Sequence, residues 1–206
     1  IKNYSELLEE MLNNSFNCKH FSHFEVINLG VNGYDIEYPV YRFLKRGLKY
    51  KPDLVIWLVN DWNFWRINEF MIPLEEKYKS EGIPDFNPAI RGYEAAIKAF
   101  AEIRKTYGEK YILEYQKKSL SILTKIYSGK LLLVSNQKFS GKIQSLIDEF
   151  IESDPKNYSY IFLPEIKLED EFRLLDGHPN EPGHKKITNA LVDYLKLSLQ
   201  NQCKKR

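Results

Sequence analysis

The stretch "KPDLVIWLVND" (51–61) constrains the fold most. Its centre, LVIWLV, carries no polar residue, so it lacks the apolar–polar alternation of a strand with one face in water. An unbroken β-branched and aromatic run of this length predicts a strand buried on both faces, as in a parallel sheet covered by helices. Parallel neighbours need crossover segments, and the rest of the chain supplies them.

Residues 4–13, "YSELLEEMLN", place Leu7, Leu8, Met11 and Leu12 on one helical face, with Ser5 read as the N-cap region. "FEVINLGV" (24–31) reads as a strand ending at a turn, and 36–50 as a helix with Pro39 early in it. A long stretch, about 62–128, opens with "DWNFWRINEF" and ends in helical sequence near Tyr127. "KLLLVSN" (130–136) and "YSYIFLPE" (158–165) read as further strands, "GKIQSLIDEFIES" (141–153) as an amphipathic helix, and 180–200 as a closing helix with Pro182 in its first turn. Strands alternating with helices predict a single α/β domain over 1–206, with a mainly parallel sheet and a helical insertion at about 62–128.

In such sheets ligands collect at the C-terminal ends of the strands. Three groups of residues fall there. The turn "NLGVNGYDI" (28–36) carries Gly33, which suits either a positive-φ corner or close approach of an oxygen to its N–H. "VND" (59–61) carries Asn60, whose amide suits either a helix N-cap or donation to an oxyanion. "LLDGHPNEPGH" (174–184) carries Asp176 and His178, either a polar turn or an acid–imidazole pair that serves a nucleophile. Asp61, Trp62 and Phe64 follow Asn60 directly and are candidates for a substrate pocket; the aromatics Trp62, Phe64 and Trp65 suit equally packing under the 62–128 stretch. Asn136 also ends a strand.

In this order the three groups resemble the SGNH hydrolases, also called the GDSL esterase/lipase family. The resemblance implies a flavodoxin-like three-layer α/β/α fold and serine-type hydrolysis of O-acyl esters of carbohydrates or lipids. It implies Gly33 and Asn60 as oxyanion-hole donors, His178 as general base and Asp176 as its orienting acid. Three departures accompany it. The family's Gly-Asp-Ser block is absent, so the nucleophile and the strand before it are expected upstream of Ile1, in about 10 to 30 further residues. The chain by itself is then expected to be inactive. That strand would lie between 24–31 and 53–59, so its absence predicts a gap or a repacked sheet. Val59 stands where the family has glycine, and only Gly177 separates Asp176 from His178. The acyl-enzyme chemistry serves transfer to a sugar hydroxyl as well as hydrolysis. A non-catalytic binding module and a phosphate-binding flavodoxin-like domain are the other readings.

With 30 basic and 28 acidic residues the net charge is +2, which gives no electrostatic case for nucleic acid. No segment is long and apolar enough to span a bilayer, and compartment is left open. Two cysteines near opposite ends make neither a metal motif nor a disulfide framework. No metal and no cofactor are expected; the expected partner is a small-molecule ester.

Overall fold

The computed structural model describes residues 2–15, 22–31, 33–81, 88–139, 141–164, 169 and 178–203. They show an α/β protein with a parallel three-stranded sheet. The strands are β1 (Leu54–Leu58), β2 (Lys130–Ser135) and β3 (Tyr158–Phe162), in the spatial order β1-β2-β3. The helices are α1 (Tyr4–Ser15), α2 (Glu37–Arg42), α3 (Asp61–Trp65), α4 (Asn68–Ser80), α5 (Pro88–Ile126), α6 (Gly141–Glu152) and α7 (Glu181–Cys203). The chain divides into two compact units, residues 1–28 with 163–206, and residues 29–162.

The larger unit, 29–162, holds the sheet. Register pairs Val55 with Leu131 and Leu131 with Tyr158, so Val55, Trp57, Leu131, Leu133, Tyr158 and Tyr160 share one face. Against that face pack Val40 of α2, Leu120 and Leu123 of α5, and Ile143, Ile147 and Phe150 of α6. Both crossovers therefore lie on the same side, as one handedness and a sequential strand order require. A satellite cluster of Ile67, Met71, Ala99, Ile103 and Ile112 joins α4 to α5. Within α5, Gly108 breaks the helix at φ 74°, ψ 158°, a conformation nearly confined to glycine.

The smaller unit pairs α1 with α7. Leu8 and Leu12 of α1 and Leu191, Val192 and Leu195 of α7 are buried. Asn3, not Ser5, caps α1. Its Oδ1 accepts the N–H groups of Ser5 (2.9 Å) and Glu6 (3.2 Å), and its own N–H donates to Glu6 Oε2 (2.8 Å).

Two further expectations are corrected. Residues 24–31 form no strand. Their backbone is bonded instead to side chains: Phe24 N–H to Asn13 Oδ1 (2.8 Å), Asn13 Nδ2 to Phe24 O (2.8 Å), Val26 N–H to Glu9 Oε2 (2.6 Å), and Arg42 Nε to Leu29 O (2.9 Å). A β-prone sequence becomes a strand only when a ladder partner is at hand. The helix expected over 36–50 is α only to Arg42, then widens into a π turn (Phe43–Gly47) and tightens to a 3-10 turn (Leu48–Tyr50).

Candidate functional site

β1 ends where its ladder gives out. Val59 N–H still reaches Val134 O (2.9 Å), and the next residue, Asn60, turns the chain into α3. Asn60 is extended (φ −140°, ψ 176°) and is the N-cap of α3. Its Oδ1 accepts Asn63 N–H (3.3 Å), while Asn63 Oδ1 accepts Asn60 N–H (2.8 Å). This reciprocal box fixes which end of the Asn60 amide is occupied. The oxygen is held by the helix, so Nδ2 is the end left to donate; it meets no acceptor among the described residues. The cap and the donor roles, alternatives in the sequence, coexist in one side chain.

Gly33 sits at φ +75°. A Cβ there would find only Arg66 Nη2 at 3.8 Å, an ordinary contact. Backbone conformation, not crowding by the protein, therefore demands glycine. The Gly33 N–H meets no acceptor among the described residues.

The same segment that carries Asn60 holds the Gly33 turn. Asn63 Nδ2 donates to Tyr34 O (2.8 Å), and Asn68 Nδ2 donates to Gly33 O (3.0 Å). Asp35, fully buried, accepts Asn68 N–H on Oδ2 (2.7 Å) and Tyr38 N–H on Oδ1 (2.9 Å). Burial pushes the Asp35 carboxyl above its ordinary value, and those two donors oppose the shift. Arg66 donates through Nε to Asn68 Oδ1 and is ion-paired through Nη2 to Glu75 (2.7 Å), with both side chains largely buried. Gln116 of α5 donates to Arg66 O (2.6 Å), and its buried Oε1 has no partner among the described residues. Beside it, Tyr115 donates to Glu37 Oε2 (2.5 Å), and burial together with that carboxylate raises its hydroxyl. Gly33 and Asn60 thus belong to one hydrogen-bonded frame. Asp35, Asn63, Arg66, Asn68 and Gln116 were not singled out from sequence. Of these only Asn63 carried a local signal, the Asn-x-x-Asn spacing of a capping box.

The residues after Asn60 separate by helical geometry. Asp61 is exposed; partial burial moves its carboxyl up, and the nearby Gln137 amide opposes that. Trp62 is 41% exposed. Phe64 is 1% exposed and packs edge-on against Phe139 (centroids 5.4 Å), within the core over the sheet. Trp65 packs partly buried beneath the Arg104 guanidinium (5.1 Å). A cleft of about 260 Å³ opens between α4 and α5, lined by Glu69, Phe70, Pro73, Leu74, Glu102 and Ile103 among others; none of the sequence candidates lines it.

His178 belongs to the smaller unit, exposed and just ahead of α7. Asn180 caps that helix, its Oδ1 accepting Gly183 N–H (3.0 Å). Asp176 lies outside the described residues. His184 is different in kind: burial lowers its pKa, and its buried Nδ1, near Tyr4, has no partner among the described residues. Among the described residues no group of His, Cys, Asp and Glu side chains is placed to hold a metal ion, and no helix is long and apolar enough to cross a membrane. No family model matches the chain, and searches of curated proteins and of solved structures returned no significant match.

Proposed function

We propose that this chain is the larger part of a serine-type O-acyl ester hydrolase of the SGNH class, with a three-layer flavodoxin-like α/β/α fold. The observation that carries the reading is the frame around Gly33 and Asn60. Among the described residues, a positive-φ glycine whose N–H meets no acceptor and an asparagine whose Nδ2 meets none are tied into one frame where the parallel strand β1 ends. Donors fixed before the reaction stabilise developing negative charge without reorganising, which is what an oxyanion hole must do.

In this reading a serine upstream of Ile1 attacks the ester carbonyl. His178 takes its proton and returns it to the leaving alcohol, while Asp176 holds the imidazole and stabilises its charged form. The carbonyl oxygen, now negative, is bound by the Gly33 N–H, the Asn60 amide and the serine N–H. Water, or a sugar hydroxyl in a transfer reaction, then resolves the acyl-enzyme. The segment that brings the serine also supplies the strand next to β1.

The test uses the chain with its upstream segment and p-nitrophenyl acetate. Asn60→Asp keeps the N-cap oxygen but exchanges the donor for a negative charge, so it separates the two roles of this residue. It is expected to lower kcat by about 100-fold or more with the melting temperature little changed. His178→Ala should leave roughly a thousandth of the rate or less. Full activity in His178→Ala sinks the reading.

A further inference from the structure

The cleft between α4 and α5 takes no part in the reading above. It holds about 260 Å³, and all its lining residues lie within the larger unit. Two helix irregularities shape it. Pro73 sits inside α4, one turn after Glu69, and has no N–H to give. The Glu69 carbonyl therefore loses its ordinary helical donor, on the face of α4 where Glu69 and Pro73 both line the cleft. On the other helix, the break at Gly108 directly follows Tyr107. The Tyr107 ring stacks on Phe70, with centroids 4.6 Å apart and planes 9° from parallel, one ring from each helix.

The rest of the wall is mostly carbon, from Leu74 of α4 and Ile103 of α5, with the Thr106 hydroxyl among it. The charged groups of the lining are Glu69 from one helix and Glu102 from the other. The neighbouring cations are held elsewhere. Lys77 and Lys98 lie over the Tyr78 ring, and Arg104 lies over Trp65 and pairs with Glu109. Glu102 accepts the Tyr78 hydroxyl, and a carboxylate has further lone pairs to offer. The cleft thus presents a carbonyl and two carboxylates as acceptors, between aliphatic and aromatic surfaces. A calcium or magnesium ion needs a full shell of oxygens, which carbon walls do not supply. A quaternary ammonium has no N–H for the acceptors. Ammonium groups joined by methylenes suit both parts: their N–H groups meet the acceptors, their charge lies near ring faces, and their methylenes cover the carbon wall. We propose that the α4–α5 cleft binds an aliphatic diamine or polyamine, with Glu69 and Glu102 holding its ammonium groups. The site does not rest on the ester-hydrolase reading.

The test is titration calorimetry on the chain as it stands. The probes are putrescine and spermidine, with butylamine and magnesium chloride as comparisons. Putrescine and spermidine should bind, and butylamine about tenfold more weakly than putrescine. Glu69→Gln and Glu102→Gln each keep an acceptor oxygen and remove the charge, and each should weaken spermidine by roughly fivefold or more. Thr106 is exposed, so Thr106→Lys should leave the melting temperature little changed while its ammonium takes the place of the ligand's and abolishes binding. Glu76→Gln, on α4 but outside the lining, should bind as wild type does. The proposal is overturned if neither putrescine nor spermidine binds, or if Glu76→Gln weakens spermidine as much as Glu102→Gln does. It is equally overturned if Thr106→Lys binds as wild type does, or if magnesium displaces spermidine at equal concentration.

Discussion

β1 and β2 lie side by side in register and are both almost wholly apolar. Yet every residue of β1 is only half-buried, while 131–135 of β2 are all buried. The difference is position. β2 has a ladder on each side, whereas β1 has one among the described residues. Hydrophobic content tells how a strand is suited to be buried, and neighbours decide how far it is. At the edge, the chain replaces burial with polar bonds: β1 runs into the Asn60–Asn63 box and the frame around Asp35.

The contrast is broken or sharpened by paired substitutions. Leu133→Ala in β2 should cost about 3 kcal/mol and Val55→Ala in β1 only about 1 kcal/mol, read from urea denaturation midpoints. Equal losses would mean that β1 is as enclosed as its neighbour. Asp35→Ala comes next, at about 2 kcal/mol, because it strips acceptors from two amides bonded inside the protein. A loss below a few tenths would show that polar bonds do not hold this edge. Gly33→Ala should cost about 1 kcal/mol through its positive φ alone, since the added methyl has room.

The smallest effect is one of pH. Burial raises the Asp35 carboxyl, so ionisation favours the unfolded chain. Its stabilising share is present below the ordinary carboxylate range and is lost as pH rises through the raised value. Asp35→Asn should therefore compare better with wild type at neutral pH than at about pH 4. A stability difference that is flat between these two conditions would put Asp35 outside the titrating groups.

How far the sequence could be read follows the same logic. β2, α6 and α7 match their expected ranges because periodicity and caps are local signals. The sheet's parallel sense followed from the unbroken run in β1. Residues 24–31 were misread because a ladder is a property of two segments, and Asn13 and Glu9 bind that backbone instead. Phe64, which the sequence leaves open between pocket and packing, is placed by the register that the α3 cap sets, which sends Trp62 outward and Phe64 into the core. Asn60 was legible as a residue type at a strand end, and Gly33 as one suited to a positive-φ corner, although no strand among the described residues precedes it. The frame that ties them was not, because Asn68 reaches Gly33 and Asp35 across more than thirty residues.

The break at Gly108 makes one long helix two levers whose partners differ toward their far ends. Before it, Ala99 and Ile103 answer to α4; beyond it, Ile112 still answers to α4, and only further on do Leu120 and Leu123 answer to the sheet. A change in the length or tilt of the first lever need not be transmitted to the second. The end that carries Tyr93 and Ile97 can therefore vary with less effect on the sheet than the end that carries Leu120 and Leu123. Within a single uninterrupted stretch of chain, evolvability and constancy are assigned to opposite ends.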